Sequence, residues 1–207
     1  MISYSQQMLN KNEIFSYWIN NNNGRENPSN YRIRLDSLVV DFIDKLRDNG
    51  IYTIGAYEVD YVGAYAIDSC MCQTIPWIAY VQWFDDGKTY HQKITKCCKF
   101  KPIQINHSVL IRYYISAQDR IDNERIFPII TGASKNEKGE ILLNLLMIDH
   151  TNHYSIYCDL NGQTRFTAFE QYELEDNKNL FYNDNTNSII NSWRKMIDNQ
   201  IKEIGNE

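Results

Sequence analysis

Two pairs of closely spaced cysteines are the sharpest candidates for chemistry in this sequence. One residue separates Cys70 from Cys72, and Cys97 is followed directly by Cys98. Four thiolates would suit a tetrahedral zinc site, but the spacing differs from the usual zinc knuckle, and adjacent strand residues point to opposite faces. We therefore predict no cofactor and no metal, with zinc at these four cysteines as the alternative. Cys158 lies in a predicted strand and is interpreted as structural.

Histidine and carboxylate side chains form a second candidate group. His150 and His153 follow an apolar segment, directly after Asp149. Two imidazoles beside a carboxylate can bind a metal or transfer protons. His153 and Ser155 also resemble the His-x-Ser element of two-histidine phosphoesterases, although no second such element occurs. These residues support an enzyme alternative, a small hydrolase or phosphoesterase, whereas polar residues of an ordinary turn are the simpler interpretation.

A basic segment, Gly87 to Gln118, is the third candidate. It contains six Lys and Arg residues and no Asp or Glu, in a chain of net charge −5. The remainder is therefore strongly acidic, which disfavours general nucleic-acid binding, because phosphate neutralisation requires a basic face. The strip Lys88 to Lys101 could still bind a nucleotide or single-stranded nucleic acid by stacking and charge, or simply protect a sheet edge. The candidate binding residues are Tyr80, His91, Lys93, Lys96, Lys99 and Lys101.

The sequence lacks the recognised catalytic and nucleotide-binding motifs. It contains no G-x-G-x-x-G, P-loop, H-E-x-x-H or G-x-S-x-G pattern. The N-terminal residues lack a basic region followed by an apolar one, and no window approaches the ~18 apolar residues of a membrane span. An odd number of cysteines without a secretion signal favours reduced thiols. We therefore expect a cytoplasmic location and no membrane contact.

The basic segment must be positioned by a hairpin centred on Asp86 and Gly87. This dipeptide tolerates the two positive φ angles of a type I′ turn, and runs of β-branched and aromatic residues flank it. A two-residue loop aligns Trp83 with Tyr90, and period-two alternation then defines one core face. The predicted core face comprises Trp77, Ala79, Val81, Trp83, Tyr90 and Ile94. Asn161 and Gly162 predict a second hairpin, formed by residues 154–160 and 163–174.

The rest of the chain predicts further strands between terminal helices. Residues 77–126 are interpreted as one β unit, residues 51–59 and 61–68 as two strands, and the apolar run 140–149 as a central strand. Helices are predicted over residues 5–20, over 36–50 with an Asp36 or Ser37 cap, and over 186–204 with a Thr186 cap. The fold class is therefore α+β, an antiparallel sheet or small β-barrel of about 7–8 strands flanked by helices.

These elements predict one compact domain with three parts. Residues 1–50 form an N-terminal helical segment, residues 51–175 an antiparallel β domain, and residues 186–204 a C-terminal helix. At 207 residues the chain is long enough for one good-sized core.

One part of the chain resembles a known family. Residues 80–90 contain a Gly-Lys-x-Tyr turn between two strands, and the segments Val109–Tyr114 and Asp119–Ile126 follow it. In this order they resemble a widespread bacterial family of small β domains of unknown function. The resemblance covers about residues 66–126 and implies a small β-barrel-like module, without catalytic residues to carry over.

The sequence thus favours a binding function over an enzymatic one. A missing catalytic motif, an acidic remainder and an aromatic-rich sheet are typical of a protein-interaction module, since interfaces favour Tyr and Trp anchors. The leading hypothesis is a cytosolic interaction protein of bacterial or phage type, an immunity or inhibitor protein against a toxin or defence factor. The alternatives are the hydrolase using Asp149, His150 and His153, and the nucleotide or nucleic-acid binder.

Overall fold

The computed structural model describes residues 8–21, 31–61, 77–148 and 151–205. The strands are β1 Thr53–Asp60, β2 Trp77–Asp85, β3 Lys88–Thr95, β4 Ile103–Ile105, β5 Ile130–Lys135, β6 Ile141–Leu145, β7 His153–Leu160 and β8 Gln163–Glu170. The helices are α1 Lys11–Asn21, α2 Tyr31–Arg34, α3 Ser37–Asp48, α4 Val109–Asn123, α5 Gln171–Glu175, α6 Tyr182–Thr186 and α7 Ile189–Ile204.

The strands of the described residues form two antiparallel sheets. Six strands make the main sheet in the order β4-β3-β2-β1-β7-β8, and β5 pairs with β6 in a separate two-stranded sheet. The α+β class with an antiparallel sheet is therefore confirmed, and the main sheet is open rather than closed into a barrel. No helix in the described part of the chain is both long and apolar enough to cross a bilayer.

Both predicted hairpins are present, and the first has the predicted register. Trp83 pairs with Tyr90 across the first hairpin, and the turn residues Asp86 and Gly87 have φ angles of 46° and 73°. The second hairpin joins β7 to β8 through Asn161 and Gly162, with φ angles of 54° and 91°. Positive φ at both turn positions is the conformation that these dipeptides favour, so the turn chemistry fixes the pairing of four of the six strands.

The main sheet is covered by helices on both faces. Helix α3 buries Val39 and Ile43 against one face, where the hairpin residues Trp77, Ala79, Val81, Trp83 and Ile94 also lie. Helices α4 and α7 cover the other face with a core that includes Trp193. A Cβ atom at Gly55 would lie 1.8 Å from Leu110 Cδ2, so the missing side chain lets α4 approach the central strand.

Aspartate and glycine set the boundaries of α3 as predicted. Asp36 is the N-cap, and its carboxylate accepts a hydrogen bond from the Leu38 N–H at 2.8 Å. The helix is followed by Gly50 at φ 82°.

The β unit predicted over residues 77–126 is wrong in its last part. Residues Val109–Asn123 form α4 instead of a strand. The family resemblance also implied a strand in this segment. Ser108 caps this helix by accepting the Ile111 N–H at 2.9 Å. Leu110, Ile111, Tyr114 and Ile121 are its buried residues. This helical spacing outweighs the β propensity of the segment.

Three further boundaries differ from the predictions. Met8 forms an isolated β-bridge with Ser134, and the first helix begins only at Lys11, after the Asn10 side chain accepts the Glu13 N–H at 3.1 Å. Ser188 rather than Thr186 caps the last helix. The predicted strand 61–68 lies almost entirely outside the described residues.

The apolar run 140–149 is not a central strand. Only its first half forms β6, which pairs with β5 in the small sheet, and its side chains are largely exposed. An all-apolar strand usually indicates burial on both faces, and here that burial is missing.

Candidate functional site

The basic segment folds back along β3 and lines a cavity that is open to solvent. After β3 the chain reverses at residues 96–99, and the Phe100 N–H donates to the Lys93 carbonyl at 3.0 Å. A cavity of about 330 Å³ lies between this segment and the end of α7. Four of the six candidate binding residues line it, namely Tyr80, His91, Lys93 and Lys101. Lys96 and Lys99 are exposed and do not line it.

The hairpin face opposite the predicted core face carries Gln82 and His91, and these two side chains are buried. Gln82 is fully buried and His91 is 4% exposed, because α4 and α7 cover them. The rings of Tyr80 and His91 stack with centroids 5.6 Å apart, and Lys93 Nζ lies 4.9 Å from the Phe100 ring centroid. Burial lowers the pKa of His91 to about 4, so its ring is neutral at physiological pH.

A second cavity of about 310 Å³ lies at the end of β1, β7 and β8. Asp60, His153 and Glu170 form a row across these three strands, since His153 pairs with both carboxylate residues. The distance from His153 Nδ1 to Glu170 Oε1 is 3.8 Å. His153 therefore belongs to a strand rather than to the predicted turn. Its predicted companions, Asp149 and His150, lie outside the described residues.

Two carboxyl groups at this end of the sheet have raised pKa values. Burial raises the pKa of Glu58 to about 8, with further raising by the Asp36 and Asp60 charges. Burial also raises the pKa of Asp60, while His153 opposes the shift. Asp60, whose pKa is raised, pairs with His153 across two strands, and a carboxyl group beside an imidazole is a combination that acid–base catalysis uses. The sequence revealed this row only through His153.

Cys97 and Cys98, the two described members of the cysteine candidates, are not thiolates in this structure. Cys97 and Cys98 are disulfide-bonded, and Cys158 is free and buried. A disulfide sulfur is not a thiolate ligand for zinc, so the reduced thiols expected from the cysteine count are absent at these two positions. Cys70 and Cys72 lie outside the described residues. Burial raises the pKa of Cys158 well above its usual value, as suits an inert structural cysteine.

The sequence interpretation missed an exposed apolar surface on the small sheet. We call it the β6 surface and define it by Leu142, Leu145, Leu146 and Met147, which are 48%, 51%, 41% and 91% exposed. Met8, 67% exposed, lies beside the same sheet. The Leu9 N–H donates to the Ala133 carbonyl on the far edge of β5, whereas the outer edge of β6 has no strand partner among the described residues. The sequence signal for this surface was the apolar run 140–149, which had been interpreted as a buried central strand.

Comparison with known proteins gives no assignment for any of these sites. No protein-family model, no curated protein and no solved structure matches the chain.

Proposed function

We propose that this protein is a non-enzymatic protein-interaction module that binds another protein through the β6 surface. The single observation that carries this proposal is the exposure of four closely spaced apolar side chains in β6 and directly after it, Leu142, Leu145, Leu146 and Met147. Isolated exposed apolar residues are ordinary, but several of them close together in the chain at an open strand edge mark an interaction surface or an aggregation hazard.

The edge geometry favours a partner that contributes an extended segment. Strand β6 uses one edge to pair with β5, from Ile141 opposite Lys135 to Leu145 opposite Ile130. Its other edge can accept a further strand, whose backbone hydrogen bonds supply affinity and whose side chains meet the exposed leucines. Natural proteins usually blunt such edges with lysine or proline, and β6 contains neither.

Charge favours a basic, different protein over a second copy of this chain. The net charge is −5, so two copies would repel each other, whereas a basic partner would be attracted and its association accelerated. Within this class, an immunity or inhibitor protein of bacterial or phage origin remains our specific proposal, because such proteins neutralise a partner by occupying its surface.

A matched pair of variants tests the β6 surface. L142E/L145E places two charges on it, while Ile115→Glu changes a comparably exposed residue, 56%, on α4. A partner that co-purifies from the native host is isolated, and its affinity for the three proteins is measured by calorimetry. We expect the double variant to lose about a hundredfold or more in affinity, as for central apolar contacts, and Ile115→Glu to bind normally. Equal affinity of all three proteins contradicts the proposal.

A hydrolase is the second candidate, favoured by the row formed by Asp60, His153 and Glu170 in its cavity. General acid–base catalysis requires a titratable side chain beside a space that holds substrate, and this row lines a cavity of about 310 Å³. The test is turnover of p-nitrophenyl phosphate, its diester and p-nitrophenyl acetate. On this hypothesis His153→Ala loses turnover and the exposed control His107→Ala keeps it. No turnover by the unmodified protein eliminates the candidate.

The cytoplasmic location stays a prediction, and the disulfide-bonded cysteines argue against it. Disulfides persist in oxidising compartments and are rare in the cytosol. Rapid alkylation during extraction from the native host distinguishes the two cases. A cytoplasmic protein is expected to have Cys97 and Cys98 alkylated, whereas protection of both residues until reduction indicates an oxidising compartment.

A further inference from the structure

We propose that the cavity between β3 and the end of α7 binds a small aromatic carboxylate, with the His91 Nε2–H and the Lys93 and Lys101 ammonium groups as its polar contacts. This binding site is separate from the β6 surface and does not depend on the proposed function. Three features of the site identify the ligand class: a hydrogen-bond donor without an acceptor among the described residues, an exclusively cationic set of charges on the described lining residues, and apolar walls.

A hydrogen-bond network fixes the orientation of the side-chain amide next to His91. Gln200 Nε2 donates to the His107 carbonyl at 2.7 Å, so Gln200 Oε1 is the acceptor end of that amide. Oε1 accepts from the Val109 N–H at 3.0 Å and from Gln82 Nε2 at 3.1 Å. The Gln82 amide therefore turns its nitrogen toward Gln200, and its oxygen accepts the hydroxyl of Ser108.

The orientation of Gln82 determines the tautomer of His91. Gln82 Nε2 also lies 3.1 Å from His91 Nδ1, and because this amide nitrogen is a donor, Nδ1 must be the acceptor. A neutral imidazole with an accepting Nδ1 carries its proton on Nε2. His91 is 4% exposed as a residue, and no described residue accepts its Nε2–H. This nitrogen is not among the fully buried polar atoms without a partner, so its N–H can donate to an acceptor that enters the cavity that His91 lines.

The charges that line the cavity select an anion. Lys93 and Lys101 are the only charged side chains among the described residues that line it. Asp198, whose charge acts on Tyr80, is already paired with Arg194 at 2.7 Å and with the Tyr57 hydroxyl at 2.7 Å. No acidic side chain of the described residues lines the cavity to neutralise the two lysines, and a carboxylate provides the complementary charge.

The walls and the volume select a small, flat and apolar body. Ile103, Ile201, Ile204 and Phe100 supply the walls, and Tyr80 contributes an aromatic ring. The volume of about 330 Å³ is at the lower end for ligand pockets, and it corresponds to about ten water molecules at ~30 Å³ each. A one- or two-ring aromatic acid fits this space, while a long acyl chain or an oligonucleotide does not.

The test uses 2-naphthoate as the anionic probe and 2-naphthamide as its neutral counterpart. Calorimetry measures their affinities for the full chain, for K93M/K101M, and for the control K96M/K99M, whose lysines belong to the same segment but do not line the cavity. We expect the unmodified protein to bind 2-naphthoate saturably and to bind 2-naphthamide about tenfold more weakly. K93M/K101M should bind 2-naphthoate about tenfold more weakly than the unmodified protein, and K96M/K99M should bind it with unchanged affinity. Methionine keeps the apolar length of the lysine stem, so folding is preserved.

Nitrogen-15 spectra of histidine-labelled protein provide the second readout. We expect the ring of His91 to show a protonated Nε2 before any addition, and its Nε2–H resonance to shift as 2-naphthoate saturates the site. The proposal is overturned by absence of saturable 2-naphthoate binding, by equal binding of the amide, by equal binding of K93M/K101M, or by binding that leaves the His91 resonance unchanged.

Discussion

The carboxyl group of Glu58 accepts a hydrogen bond from the backbone N–H of Asp36, with Oε2 3.1 Å from the nitrogen. This contact joins the N-terminus of α3 to the central strand β1, at the end of the sheet where the His153 cavity opens. Glu58 is 6% exposed, and its pKa of about 8 means that it is largely protonated at neutral pH.

Replacing Glu58 by Gln should therefore alter the pH dependence of stability. Between pH 4.5 and about 8 the unfolded chain has released this proton and the folded protein retains it, so stability falls as pH rises. The Gln variant lacks this loss. We expect its unfolding free energy to match that of the unmodified protein near pH 4 and to exceed it by a few kcal/mol near pH 8.5. Urea unfolding at both pH values measures the difference, and a constant difference across this range contradicts the assigned pKa.

The ion pair between Arg47 and Asp159 should contribute strongly to stability. Arg47 Nη2 lies 2.6 Å from Asp159 Oδ2, and the aspartate side chain is only 2% exposed. Arg47→Met leaves this carboxylate buried without its cation, which costs about 3 kcal/mol. The more exposed pair of Arg32 with Asp44 supplies the control, since Arg32→Met should cost less than about 1 kcal/mol. Similar urea midpoints for the two variants would refute the importance of the buried pair.

Adding a methyl group at Gly55 should disturb the packing of α4 on the sheet. The new Cβ would lie 1.8 Å from Leu110 Cδ2, and Leu110 is fully buried. The packed side chain of Leu110 must move to remove this clash, so we expect Gly55→Ala to lower the unfolding free energy by about 1–3 kcal/mol. Gly132→Ala is the control, because its nearest contact would be 3.3 Å from the end of the Asn144 side chain. Equal stability of both variants would exclude close helix packing at Gly55.

The sequence predicted best what local chemistry determines. The Asp86-Gly87 and Asn161-Gly162 turns set the register of both hairpins, and Asp36 set the start of α3. Each of these features depends on two or three adjacent residues and their backbone preferences, so neighbours elsewhere in the fold hardly alter it.

Features that depend on distant parts of the chain were not predicted. Residues Val109–Asn123 are rich in β-branched and aromatic side chains, yet they form α4, because Ser108 caps them and their helical face packs on β1 and α7. The row of Asp60, His153 and Glu170 joins three strands, and its members are far apart in sequence. The cavity at His91 requires α7, whose approach to β3 no local pattern indicates.

The most direct test of the β6 surface is a site-specific photo-crosslink in the native host. A photoreactive phenylalanine analogue replaces Leu142 in one protein and Ile115, an exposed residue of α4, in the control. The proposal predicts that irradiation joins the probe at position 142 to one discrete, basic partner protein, and that the probe at position 115 gives no such product. A product of twice the mass of this chain, or the same pattern from both positions, would contradict it.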